Sequence, residues 1–181
     1  MNERFKADIG YAKMVIKDKG ELRPMFMMFT EKHGTIPVIP LEFNTDAEKN
    51  MFCSFFQLAM VRYQAYAYTY MFEAWMVQRK ADGEDPLKKI NADNPVSAQK
   101  DKIEAVIVCR NTPDVSEMYS CPIHRDEKGE VTFGEGQTME GVMGRFADLL
   151  PPPEIMAKEL TPQQKDIADK FMRMFSEEVK L

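Results

Sequence analysis

Apolar residues recur at helical spacing near the N-terminus, at Phe5, Ile9, Ala12 and Ile16. A lysine-rich turn and then Gly20 follow, which is a common way for a helix to end. A second helix is predicted from Thr45 to about Tyr63, because Thr45 and Glu48 form a capping-box signature before an apolar stripe. This second helix is expected to be the main one packed on a sheet.

A further helix is predicted at the C-terminus. Thr161, Pro162 and Gln164 supply an N-cap, a first-turn proline and a box partner. Its apolar stripe consists of Ile167, Phe171, Phe175 and Val179. The stripe either folds back on the rest of the chain or docks on a partner. Prolines at 151–153 precede this helix, so we expect one domain over 1–150 and a connector plus helix over 151–181.

Short apolar or alternating runs between these helices predict strands. The run TIPVIPLEF contains two prolines that cannot donate to a sheet, which favours an edge position. The Gly-rich stretch 134–144 is expected to be a flexible connector, followed by a short helix near 140–149. The predicted strands cover residues 25–30, 35–43, 65–78, 103–110, 115–124 and 130–133.

These elements predict a single α+β domain. We expect an antiparallel or mixed sheet of four to six strands, packed by two or three helices, with the C-terminal helix added. Residues 79–101 are polar and contain Gly83, Pro86 and Pro95, which predicts a long surface loop. Loops of this length are often functional.

Composition and charge narrow the function classes. The 181 residues are 44% hydrophobic with a formal net charge of −5 and a pI of about 5.2. The acidic balance argues against non-specific binding to nucleic acid or to an anionic membrane. Three cysteines without a close pair do not predict a disulfide framework. With no signal peptide and no membrane-spanning run, we expect a cytoplasmic protein.

The stretch YTYMFEAWMV places one carboxylate, Glu73, inside an apolar and aromatic run. Three interpretations are open. Glu73 is a structural carboxylate paired with Arg62, Arg110 or a lysine, a solvent-facing residue beside a half-exposed Trp75, or a functional acid or metal ligand. An unpaired buried charge is costly, so the first interpretation ranks ahead of the others.

Glu104 lies on the next predicted strand and is the natural partner to consider. If Gln78 and Lys102 bracket an antiparallel connection, Glu104 lies beside Met76, on the opposite sheet face from Glu73. In that register the two carboxylates are not a catalytic pair. A shift of one residue would reverse this conclusion.

A zinc site can also be drawn from Cys109, Cys121 and His124, because a thiol and an imidazole lie three residues apart. Its signal is weak, since the chain has no Cys-x-x-Cys pair and no second histidine at ligand spacing. We therefore expect buried free cysteines near a surface histidine, with no metal and no cofactor. The stretch GEGQTMEGVMG lacks the ending of a phosphate-binding loop.

Over roughly residues 7–110 the chain resembles a family of uncharacterised bacterial and bacteriophage proteins. The segments that carry the resemblance are KDKGELRPMFMMFT, IPVIPLEF, TDAEKNMF, YTYMFEAWMV and DKIEAVIV. The Glu-Ala-Trp-Met segment at 73–76 and the later Glu104 fall at places that match the family, and Lys102 stands where an arginine is expected. The resemblance implies no known activity.

We therefore expect a small cytoplasmic accessory protein of a bacterium or phage that binds a protein partner or a second copy of itself and is not an enzyme. The 79–101 loop and the C-terminal helix are the expected binding elements, with Trp75 and Lys102 as binding side chains. One alternative is a divalent-metal-dependent hydrolase using Glu73 and Glu104, with His124 as a further candidate. Another is a virion or assembly component that oligomerises through the C-terminal helix.

Overall fold

The computed structural model describes residues 3–77, 96–141 and 146–176 of the chain. Four helices and seven strands lie in these ranges, together with one turn of 3₁₀ helix at Val96–Ala98. In chain order the elements are α1 (Glu3–Lys19), β1 (Met25–Thr30), β2 (Gly34–Val38), α2 (Asp46–Tyr63), β3 (Ala65–Met76), β4 (Ile103–Asn111), β5 (Ser116–Arg125), β6 (Val131–Phe133), β7 (Gln137–Glu140), α3 (Pro153–Met156) and α4 (Pro162–Ser176).

The strands form one sheet in the order β2-β1-β3-β4-β5-β6, and every pairing is antiparallel. β7 pairs with the first half of β5, while β6 pairs with its far end. The predicted α+β class is confirmed, with seven strands in the described ranges where four to six were expected. β2, with Pro37, is an edge strand as predicted.

The seventh strand arises where a flexible connector was expected. Gly134 donates its backbone N–H to the carbonyl of Pro122 over 2.9 Å, which starts the return along β5. A Cβ at position 136 would lie 2.0 Å from the hydroxyl of Tyr119, so only glycine lets the backbone pass this ring. The glycines therefore allow close approach to β5, and β7 follows directly.

Helices cover both faces of the sheet. α1 lies on one face, here called the α1 face, where it packs over β3, β4 and β5. α2 and α4 lie on the other, the α2 face, over β1, β2 and β3. The fully buried aromatic residues sort by face: Phe5 and Phe29 lie on the α1 face, and Phe26, Phe56 and Tyr68 lie on the α2 face.

α4 folds back and packs against α2. Phe171 and Met172 are buried in the core of the α2 face, and Arg62 of α2 pairs with Asp169 of α4 at 3.1 Å. The backbone N–H of Ile39 donates to the carbonyl of Phe175 over 3.1 Å, which fixes the end of α4 beside the segment after β2. Of the two expected placements, the helix takes the one on its own chain.

One sequence prediction needs correction, and two others lie mostly or wholly outside the described residues. The helix expected over 140–149 is not found in the described part of that range: Glu140 ends β7, residues 146–150 form turns and bends, and a four-residue helix, α3, begins at Pro153. Most of the 79–101 loop and Val179 lie outside the described residues. Among the described helices, none has the length and apolar character needed to cross a membrane.

Candidate functional site

Arg125, at the end of β5, binds two carboxylates on the α1 face of the sheet. Its Nη2 lies 3.2 Å from Oε2 of Glu73, and its Nη2 and Nε lie 2.9 Å and 3.0 Å from Oε1 and Oε2 of Glu104. Its Nη1 donates to the carbonyl of Gly20 over 2.6 Å, just beyond α1. One guanidinium therefore ties three elements together, using the fork geometry that suits carboxylates.

The register expected for β3 and β4 is wrong by one residue. Glu104 pairs with Trp75 and not with Met76, so Glu73 and Glu104 share the α1 face. The same register sets Arg110 beside Thr69 of β3 and Glu117 of β5, which gives this cation polar neighbours. In this register Glu104 and Arg110 of β4 lie on the same face as their charged partners on β5. Charge pairing therefore accounts for a register that the apolar pattern alone leaves open.

Glu73 is a paired, largely buried carboxylate. Its partner is Arg125, whereas the expected partners are engaged elsewhere: Arg62 pairs with Asp169, and Arg110 lies 3.6 Å from Glu117. The other oxygen of Glu73 accepts the backbone N–H of Leu22. Glu73 thus anchors the chain that leaves α1 to the middle of the sheet.

The two carboxyls have opposite pKa shifts. Burial raises the pKa of Glu73, and a hydrogen bond to Glu104 acts in the same direction. Hydrogen bonds from Arg125 lower the pKa of Glu104 below its ordinary value. One cation therefore serves two carboxyls, so the ionised form of Glu104 is favoured more strongly than that of Glu73.

The substitutions Glu73→Gln and Glu104→Gln are expected to differ in effect. Gln at 73 keeps an acceptor for Leu22 and removes a poorly stabilised charge, so unfolding free energy at neutral pH should change by less than about 0.5 kcal/mol. Gln at 104 weakens the charged hydrogen bonds from Arg125 and should cost about 1–2 kcal/mol. Urea denaturation of both variants measures the difference.

The pH dependence provides a second readout for this pair. The stabilisation from Glu104 is present above the ordinary glutamate pKa and is lost as pH falls through the lowered pKa. Glu73 acts oppositely: the wild type loses stability as pH rises through its raised pKa, and Glu73→Gln should remove that loss. Equal effects of the two substitutions at all pH values would contradict this assignment.

Glu73 also lines a cleft of 930 Å³ in the described part of the chain, here called the Glu73 cleft. Its walls are residues 21–24, residues 39–44 and the end of α4. The lining combines carboxylates with apolar side chains, among them Glu21, Glu42, Leu41, Phe43, Met174 and Phe175. Such a mixture suits a ligand that is partly apolar and partly cationic.

A second cavity lies between α2 and α4, on the α2 face. This α2–α4 groove has a volume of 290 Å³ and is lined almost entirely by apolar atoms, with Glu48 and Lys170 at its borders. Met51 is 54% exposed and Met174 is 69% exposed, so both methionines are accessible at its rim. The apolar lining consists of Met51, Phe52, Phe55, Ile167, Phe171, Met174 and Phe175.

The two expected binding side chains, Trp75 and Lys102, contact each other. Lys102 Nζ lies 4.7 Å from the centroid of the Trp75 ring, a cation–π arrangement. Trp75 is half-exposed and lies on the same strand face as Glu73, directly opposite Glu104. The sequence thus identified four residues that meet at one end of the α1 face, but it missed Arg125, which joins two of them.

Arg125 had a detectable signal in the sequence. It alternates with Cys121 and Ile123 on one face of the strand predicted at 115–124, one residue past the predicted end. His124 points to the opposite face from Glu73 and Glu104, so it cannot join them in a hydrolase site.

The zinc site drawn from Cys109, Cys121 and His124 is not assembled. Cys109 packs in the cluster on the α2 face, whereas Cys121 packs under α1. All three cysteines are buried, and none of them forms a disulfide. Within residues 3–77, 96–141 and 146–176, no group of three or more His, Cys, Asp or Glu side chains is arranged to hold a metal ion.

Comparison of the chain with protein-family models, with curated proteins and with solved structures finds no match. The resemblance of residues 7–110 to uncharacterised bacterial and bacteriophage proteins stays a prediction. The geometry of the Glu73 cleft and the α2–α4 groove therefore carries the functional argument.

Proposed function

We propose that this protein is an accessory protein that acts by binding another protein, and that its docking surface is the α2–α4 groove. The observation that supports this is an apolar groove between two helices with accessible methionines at its rim. Exposed apolar surface of this kind commonly marks a site of protein interaction. The chain's buried cysteines, which form no disulfide, fit action in the cytoplasm.

The side chains of the groove divide into a rigid floor and an adaptable rim. Phe171 packs against Phe52, Phe55 and Phe175 with ring centroids 4.8–6.1 Å apart, which holds the floor in place. The rim methionines are unbranched and polarizable, so they adjust to the shape of an incoming apolar side chain. A fixed floor with a flexible rim suits peptide binding.

The expected ligand is an amphipathic helix. Grooves between helices accept a helix whose apolar residues recur at i, i+3 or i+4, and i+7. The α2–α4 groove is small, so it holds one or two large side chains at a time. Adjacent turns of the bound helix would lie over the rim methionines.

Selection of displayed random peptides of about 16 residues, long enough for roughly four helical turns, tests this function. Peptides enriched on the wild type should carry apolar residues at helical spacing. The double substitution Met51→Asp/Met174→Asp introduces charge at the rim and should weaken their binding by at least about tenfold, or 1.4 kcal/mol. Fluorescence anisotropy with labelled peptides gives the affinities.

The matched control is Met14→Asp. Met14 is 51% exposed on α1, on the opposite side of the sheet, so one methionine-to-aspartate change of the same kind is made outside the groove. Binding to this variant should equal binding to the wild type, and melting scans should verify that both variants are folded. Peptides that bind the rim variant as tightly as the wild type would refute the groove as the docking surface.

A further inference from the structure

We propose that the partner carries a basic flank next to its apolar residues, and that this flank binds in the Glu73 cleft. This inference rests on the proposed function, since it adds a specificity element to the same docking surface. The ligand class is therefore a peptide segment with apolar residues at helical spacing and lysine or arginine at one end.

The two cavities are adjacent because they share a wall. Met174 and Phe175, at the end of α4, line both the α2–α4 groove and the Glu73 cleft. A segment that leaves the groove past these residues therefore enters the cleft directly. The exposed side chain of Leu41 continues the apolar surface on the far side of the shared wall.

The charge of the cleft determines what it attracts. The lining contains three carboxylates, Glu21, Glu42 and Glu73, and one guanidinium, Arg23, so it carries an excess of negative charge. Arg23 lies 3.7 Å from Glu21, and both are highly exposed. Glu42 is exposed at the cleft. Glu73 is bound to Arg125, but Arg125 also binds Glu104, so this cluster holds one more carboxylate than it has cations.

The negative charge of the Glu73 cleft favours a segment of a different protein, and not a second copy of this chain, as the occupant. A second copy of this chain has a formal net charge of −5, so its approach to an acidic cleft is electrostatically unfavourable. A basic segment is attracted instead, and complementary charge gives both specificity and faster association.

The test uses three synthetic peptides of about 16 residues that share leucine and phenylalanine at helical spacing. They end in three lysines, three serines or three glutamates, and each is made with this flank at either end. The protein variants are Glu42→Gln/Glu73→Gln in the cleft, Met51→Asp/Met174→Asp at the groove rim, and Glu140→Gln on β7 as the control. Affinities are measured by anisotropy at low salt and at about 0.5 M salt, where exposed charges are screened beyond roughly 4–5 Å.

The lysine peptide is expected to bind the wild type about fivefold to tenfold tighter than the serine peptide at low salt, and the glutamate peptide more weakly than either. The cleft substitutions and high salt should remove this advantage, and Glu140→Gln should preserve it. The rim substitutions should weaken all three peptides, and the lysine peptide least at low salt, because Met174→Asp also adds a carboxylate to the wall shared with the cleft.

Two results would overturn the inference alone. Groove-dependent binding without a preference for lysine, or with a preference that survives in Glu42→Gln/Glu73→Gln, would do so while leaving the proposed function intact. If no peptide responds to the rim substitutions, the proposed function fails as well. A dimer in sedimentation experiments that the rim substitutions dissociate would assign the groove to a second copy.

Discussion

Replacing Arg125 with methionine is expected to destabilise the fold by about 2 kcal/mol near neutral pH. The methionine keeps most of the side-chain packing but removes the only cation bound to Glu73 and Glu104 in the described structure. These two carboxylates are 18% and 22% exposed, so water replaces the lost contacts incompletely. The carbonyl of Gly20 loses its hydrogen bond in the same step.

The penalty should depend on pH. Without the guanidinium, the pKa of each carboxyl in the folded state rises, so the folded state holds more protons than the unfolded state. The stability of the variant should therefore increase as pH falls from about 7 towards about 5, and its difference from the wild type should narrow. Urea denaturation at a series of pH values measures this.

Arg23→Met is the matched control for Arg125→Met. Arg23 makes an exposed pair with Glu21 at 3.7 Å, and such pairs contribute little, so the change should be below about 0.5 kcal/mol. Arg125→Lys keeps the charge but loses the fork geometry and should fall between the wild type and Arg125→Met. A penalty for Arg125→Met that is independent of pH would mean that pairing with the two carboxylates is not its cause, and would assign it to the hydrogen bond with Gly20 and to packing.

The elements that could be predicted from the sequence are those with local signals. The capping box at Thr45 is present, with Thr45 and Glu48 bonded reciprocally, and a matching pair joins Thr161 and Gln164 at the start of α4. Gly20 ends α1 in a left-handed conformation, as its place after the lysine-rich turn indicates. These features depend on a few neighbouring residues, so a single sequence contains them.

Features that depend on distant residues were not predictable in the same way. The β3–β4 register depends on which face offers partners for Glu104 and Arg110, and those partners lie on β5. β7 depends on contact between Gly136 and Tyr119. Apolar periodicity fixes which residues alternate but leaves open which strands meet, and a shift of one residue moves every side chain to the other face.

The candidate site was predictable in part for the same reason. Glu73 stood out because a carboxylate inside an apolar strand requires a partner, but the partner comes from β5. The α2–α4 groove was not predictable, because it exists only through the packing of two helices that have five strands, β3 to β7, between them in sequence. The apolar stripe of α4 signals burial but does not specify which part of it stays accessible.

Deletion of residues 154–181 is expected to abolish the cooperative unfolding transition. α4 contributes Phe171 and Met172 to the main core and covers Phe52, which would otherwise be exposed along α2. The deletion also removes the bonds from Arg62 and Tyr63 of α2 to Asp169. Exposing this much apolar surface exceeds the margin of a typical domain, whose total stability is about 5–15 kcal/mol. Calorimetry and near-UV circular dichroism detect the loss.

A single substitution tests whether the packing of α4, and not only its presence in the chain, stabilises the fold. Phe171→Ala leaves the helix in the chain but removes a ring that contacts three others, and should cost about 3–4 kcal/mol. Lys170→Ala on the adjacent exposed position, which pairs with Asp166 at 2.8 Å, should cost less than about 0.5 kcal/mol. If the deleted chain instead melts cooperatively near the wild-type temperature, α4 is dispensable for folding. The helix would then be free to leave α2 and dock on a partner by itself, and the α2–α4 groove would lose its rigid floor.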